Sequence, residues 1–183
     1  MRGKSHQSLG QYLTRHFPEN TPHSHVRAFL LGCIEPDRNP VTYLKGSVRC
    51  QWLRGHNYEN ARRYMKRISD RLENKKKWNL FDWYTLGKLI HYTADAFTYA
   101  HNNTCPAELA VHRGYEVKLQ NYFLEYLKGD PGVDQITAKS IMDAISSCHD
   151  DYISLPVDIR TDSRFALSVC CAVLAILFTP RIL

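Results

Sequence analysis

Apolar and polar positions recur at helical spacing along almost the whole chain, and no stretch alternates with the period of two that a half-buried strand requires. SHQSLGQYLTRHF (residues 5–17) predicts a first helix that Pro18 ends. HSHVRAFLLGCI (23–34) predicts a second, stopping before Pro36 because the residue ahead of a proline is pushed out of the helical region. Residues 35–55, with two prolines and two glycines, read as a long ordered loop that packs down through Tyr43, Leu44, Trp52 and Leu53. NYENARRYMKRISDRLEN (57–74) is an amphipathic helix with Tyr58, Ala61, Met65, Ile68 and Leu72 on one face, followed by a solvated turn at Lys75, Lys76 and Lys77. Asp82 can cap a central helix running through residue 101. A fifth helix runs from Pro106 to Lys128 and ends at GDPG (129–132), with two more at roughly 135–155 and 163–178. The pattern predicts an all-α fold, a single multi-helix domain of about seven helices over residues 1–183.

Composition alters this picture little. The chain is 44% hydrophobic and 23% charged, ordinary for a globular protein, and its 11 tyrosines and 7 phenylalanines argue for a packed interior over disorder. A net charge of +6 suits phosphate groups on lipid or nucleic acid. Residues 1–20 lack the apolar run of a secretion signal, so the chain as given reads as cytoplasmic. The six cysteines show no CxxC spacing and read as buried reduced thiols. The apolar run FALSVCCAVLAILF (165–178) falls short of the roughly 20 residues that span a bilayer. A core helix with no stable membrane insertion is expected, and no feature points to a protein partner.

The stretch KLIHYTADAFTYAHN (88–102) sets a problem: two histidines and an aspartate lie inside a helix that should be buried. Unpaired, such groups would cost several kcal/mol, roughly. At about 100° per residue, His91 and Asp95 share a face one turn apart, with His101 on the other side near the helix end. The next helix repeats the spacing with His112 and Glu116. A single such pair is usually a simple hydrogen bond. Two pairs on successive helices, with a further histidine between them, are how a helical bundle builds a metal site.

HYTADAFTYAHN followed by VHRGYE resembles the metal-binding core of the zinc-dependent phospholipase C family. EPDRN (35–39) resembles that family's Pro-Asp element, GHNYEN (55–60) the segment of its next histidine, and SHQSLG (5–10) the start of its first helix. The resemblance runs in order from residue 5 to about 127 and implies a buried metal cluster of two or three zinc ions. Asp37, His56, His91 and Asp95 would hold one ion, and His101, His112 and Glu116 a second. His6 and Asp95, with the amino terminus, would hold a third, Asp95 bridging. In the family an N-terminal tryptophan supplies that amine and carbonyl; here the expectation falls on Met1.

The resemblance further implies a zinc-dependent hydrolase using metal-activated water for in-line attack on a phosphodiester, with Asp37 as the catalytic carboxylate. The substrate expected is a phospholipid or another phosphodiester. The fold is shared with zinc-dependent single-strand nucleases, which makes nucleic acid the alternative substrate; those nucleases tend to end the second set in aspartate, where this chain has Glu116. A non-catalytic zinc-stabilised helical domain is the third reading. Of the remaining histidines, His25 could stand in for His6, while His16 and His149 are expected at the surface. Asn57 and Tyr58 are expected either to orient His56 or to serve capping and packing.

Overall fold

Asn79 and Asp82 set the start of the helix around which the rest of the chain packs. The Asn79 side chain accepts the Asp82 backbone N–H and the Asp82 carboxylate accepts the Asn79 N–H, so two orphan donors are satisfied reciprocally. Asn79 is therefore the N-cap, and Asp82 completes the box from inside the helix. Asp82 also pairs with Arg71 (2.6 Å) and Lys75 (2.7 Å), which takes Lys75 out of the solvated turn expected for it.

The computed structural model describes residues 1–44, 55–103, 105 and 109–179. Its helices are α1 (Gly3–Leu13), α2 (His23–Arg38), α3 (Tyr58–Glu73), α4 (Leu80–Ala96), α5 (Leu109–Lys128), α6 (Ile141–Ile153) and α7 (Ile159–Phe178). Short 3-10 turns occupy Thr14–His16, Pro40–Leu44 and Tyr99–His101. Among the described residues this is an all-helical single domain without strands. From Leu86 to Ala96 α4 is buried on every side except at Lys88, as a helix at the centre of a bundle must be. It is flanked by α1, α2, α3 and α7. The predicted face of α3 is the buried one: Tyr58, Ala61, Met65, Ile68 and Leu72 all pack inward, each large apolar chain contributing about 1.5–3 kcal/mol.

The closest approach in the core is between backbones. A methyl group on Gly32 of α2 would lie 2.0 Å from the Tyr84 carbonyl oxygen, and one on Gly87 of α4 2.1 Å from that of Phe29. Only glycine fits at either position, so α2 and α4 touch main chain to main chain.

Several boundaries differ from the sequence reading. The first helix ends at Leu13 and tightens into the Thr14–His16 turn. The second runs through Pro36 to Arg38 instead of stopping ahead of it. The proline removes one helical bond, and the last turn is held from outside: Thr42 Oγ1 lies 2.6 Å from the Pro36 carbonyl and Asn39 Nδ2 donates to Glu35 (2.7 Å). Glu35 also pairs with Lys88 of α4 at 2.7 Å. The expected loop thus begins only after Arg38; Trp52 and Leu53 lie outside the described residues, as does the predicted helix start at Pro106.

The central helix ends at Ala96, not at residue 101. Thr98 is extended, and Asn102 Nδ2 donates to the carbonyls of Ala96 and Thr98, both at 2.9 Å, the latter also accepting the His101 N–H. Ser140, whose hydroxyl accepts the Asp143 N–H (3.1 Å), starts α6 later than predicted. α7 begins at Ile159, with Asp162 and Ser163 buried on its inner side. At 20 residues it is, among the described helices, the one long and apolar enough to cross a membrane, and 56% of that window is buried against the other helices. Cys33, Cys105, Cys148, Cys170 and Cys171 are free thiols, and Cys50 lies outside the described residues.

Candidate metal centre

Six segments deliver the polar residues to one place at the C-terminal half of α4. His91 and Asp95 come from α4 and Asp37 from the last turn of α2. His6 and the amine of Met1 come from the start of α1, His56 from just ahead of α3, His101 from the Tyr99–His101 turn, and His112 and Glu116 from α5.

Asp95 is at the centre, fully buried, and its two oxygens face different neighbours. Oδ2 lies 3.2 Å from His91 Nε2 and 3.3 Å from His56 Nδ1. Oδ1 contacts the Met1 amine and lies 3.1 Å from His6 Nε2 and 3.5 Å from His101 Nε2. Asp37 Oδ1 stands 3.7 Å from both His56 Nδ1 and His91 Nε2. On the far side, Glu116 reaches His101 Nε2 (3.3 Å), His112 Nε2 (3.6 Å) and the amine (3.5 Å). Three donor groupings result: Asp37, His56 and His91; His6, His91 and Asp95; and His101, His112 and Glu116.

The protonation of two histidines can be deduced from their partners. His91 Nδ1 is 2.8 Å from the Cys33 carbonyl, which can only accept, so Nδ1 carries the proton and Nε2 a lone pair. His56 Nε2 is 2.9 Å from Thr42 Oγ1, a hydroxyl whose one proton is drawn to the carbonyls of Pro36 (2.6 Å) and Asn39 (2.7 Å). Thr42 must therefore accept from His56 Nε2–H, leaving the lone pair on Nδ1. The two lone pairs, His56 Nδ1 and His91 Nε2, face each other at 3.3 Å. They repel unless a cation lies between them, and about 3.3 Å is the edge of a tetrahedron with zinc–nitrogen bonds of about 2.0–2.1 Å.

Other atoms fit the same conclusion. Among the described residues, Asp95 Oδ2 and both nitrogens of His6 are buried without a hydrogen bond, although oxygens and nitrogens lie close to Asp95 Oδ2 and His6 Nε2. Burial pushes the His56 and His91 pKa values down, and that of His101 to about 4, so the rings are neutral donors. Burial alone would raise the Asp95 pKa, but His101, the amine, His6 and His91 surround it and hold it well below the usual carboxylate range. Neutral imidazoles and ionised carboxylates, without thiolate, are a donor set for an exchangeable catalytic zinc.

A family model described as zinc dependent phospholipase C matches residues 5–166. The chain belongs to that family. No curated protein and no solved structure matches it. Zinc-dependent phospholipases C are hydrolases acting on phosphoric esters, and an open cavity of about 240 Å³ adjoins the cluster. Met1, Arg2, Gly3, Asp37, His101, His112 and Glu116 line it. Asp37, 20% exposed, is the carboxylate on the open side of the first grouping.

All nine residues expected at a phospholipase C-type cluster converge here. His25 does not: it stacks on Trp83 at 5.7 Å, toward the other end of α4. His16 is exposed as expected. The expectation that His149 lies at the surface is wrong, for it is buried, stacked on Tyr58 at 3.5 Å and hydrogen-bonded to Asn102 at 2.8 Å. Tyr58 thus supports His149, and among the described residues Thr42 bonds to the Nε2 of His56. Neither Thr42 nor the Cys33 carbonyl carries a sequence signal, because each becomes relevant only through a contact made across the fold.

Proposed function

We propose that this chain cleaves a phospholipid between its glycerol oxygen and phosphorus, releasing diacylglycerol and a phosphorylated headgroup. The observation that carries the reading is the pair of facing lone pairs on His56 and His91 beside a buried, ionised Asp95. Zinc held by Asp37, His56, His91 and Asp95, by His101, His112 and Glu116, and by His6, Asp95 and the Met1 amine and carbonyl would lower the pKa of water and neutralise phosphoryl charge.

The protein's own residues supply the rest. Asp37 presents its outer oxygen to the cavity, beside Gly3, where a methyl group would sit 3.3 Å from Oδ2. There it orients the attacking water and accepts its proton. A new phosphorus–oxygen bond forms in line with the bond to the glycerol oxygen, which leaves with the bonding electrons and is protonated by solvent. Asp95 stays ionised throughout and fixes the spacing of the donor groups on its two sides.

The experiment is turnover by zinc-supplemented protein of short-chain phosphatidylcholine and of single-stranded DNA under matched conditions. Diacylglycerol release well above any nuclease rate supports the proposal. A robust nuclease rate without lipid product overturns it in favour of a nuclease.

A further inference from the structure

Asp162 of α7 lies beneath the metal centre without touching it. It is 1% exposed, and among the described residues no cation pairs with it. Its partners are three neutral donors: the Tyr99 backbone N–H (2.9 Å) and the Tyr115 hydroxyl (2.7 Å) on Oδ2, and the Tyr152 hydroxyl (2.7 Å) on Oδ1. Burial pushes its pKa up to about 6 despite these bonds. A carboxylate buried this way is a poor means of stabilising a helix packing that apolar side chains could achieve.

Its position relative to the donors gives it another role. Tyr99 opens the 3-10 turn that ends in His101, and Tyr115 immediately precedes Glu116 on α5. Both are tied to a single atom, Oδ2. The rings of Tyr99 and Tyr115 also meet edge to face, with centroids 5.2 Å apart. The turn and the helix that supply the second donor grouping are thus referred to one fixed point on α7. His101 Nε2 and Glu116 Oε1 stand 3.3 Å apart across that junction.

We propose that Asp162 is the positioning residue of this grouping, holding the Tyr99–His101 turn and α5 at the separation at which His101, His112 and Glu116 take one metal ion. The proposal rests on the zinc reading above. Supporting residues of this kind typically change metal affinity about 10–100-fold.

The test is zinc titration of metal-free protein against a competing chelator, with the second-grouping step identified as the one lost in Glu116→Gln. Asp162→Ala weakens that step about 10–100-fold and leaves the others in place. Asp162→Asn, which keeps an acceptor for Tyr99 and Tyr115, recovers most of the affinity. Tyr115→Phe cuts only the tie to α5 and weakens the same step, which keeps the proposal testable if Asp162→Ala does not fold. Tyr152→Phe cuts only the tie to α6 and weakens it less than Tyr115→Phe does. Unchanged zinc affinity in both Asp162→Ala and Tyr115→Phe, or equal losses for the two tyrosines, overturns the proposal alone. Wild-type protein that lacks a Glu116-dependent step overturns the zinc reading and the proposal together.

Discussion

His149 Nε2 lies 2.8 Å from the side-chain oxygen of Asn102, the residue that follows His101. The amide of Asn102 is committed to the Ala96 and Thr98 carbonyls, so its side-chain oxygen accepts and the histidine donates. Burial pushes its pKa down to about 4, opposed by Asp150 and reinforced by Arg62. The folded state therefore binds fewer protons than the unfolded chain between about pH 4 and 6.5. The stabilisation is complete above pH 6.5 and is lost as pH falls through about 4, a change on the order of 3 kcal/mol. Metal-free His149→Gln should melt below wild type at pH 7, with the gap closing by several degrees toward pH 4. A gap that stays constant across this range would show that His149 is not buried neutral.

Thr42→Val removes the acceptor for His56 Nε2–H and should weaken zinc binding at the first grouping about 10–100-fold. Thr42→Ser keeps the hydroxyl and should bind as wild type does. Chelator competition distinguishes them, and equal affinity in the valine variant would mean that the hydroxyl does not set the ring's protonation.

Asp95→Asn takes one negative charge from between the donor groupings. Elemental analysis should find its zinc content reduced by more than one ion per chain, and hydrolysis should fall by at least about 100-fold. Glu116→Gln should lose only the ion of the second grouping. Asp95→Asn protein with a full zinc complement would refute the bridging role.

The Met1 amine is buried between Asp95 and Glu116, whose carboxylates, with that of Asp37, raise its pKa against the opposing effect of burial. A short extension ahead of Met1 replaces this amine with an amide. Tagged protein should therefore lose the third zinc and keep the other two. Equal zinc content and equal turnover with and without the tag would exclude Met1 as a ligand.

Chelation should lower the melting temperature of untagged protein and zinc should restore it, since each site held at 100 times its Kd contributes about 2.7 kcal/mol. Unaltered melting after verified metal removal would point to a fold that needs no ion at this centre.

The helices were legible in the sequence wherever one face was apolar and the other charged, as in α3. The start of α7 was expected four residues late because the turn Ile159–Asp162 is mostly polar, and Asp162 is buried only through partners across the fold. Pro36 read as a stop because the contacts that carry α2 past it come from Asn39 and Thr42. Part of the candidate cluster was legible from spacing, because His91 with Asp95 and His112 with Glu116 repeat one helical interval, and Met1, His6, Asp37 and His56 came from the family resemblance. The groups that orient them were not legible: the Cys33 carbonyl meets His91 across a separation of 58 residues, and main-chain atoms carry no residue-specific signal. His149 is followed by Asp150 and Asp151, which point to solvent, yet it lies on the one side of α6 that turns inward.

Gly32 and Gly87 contact no ligand, yet they govern the gauge of the site. Asp37 follows the first glycine by five residues and His91 follows the second by four, each more than one helical turn. The gap between these donors is therefore inherited from a main-chain junction where no side chain can act as a spacer. Ordinary variation around the ligands can change their chemistry while leaving this interval untouched. To widen it, a descendant of this scaffold would first have to acquire a methyl group at one of two positions where the fold has no room for one.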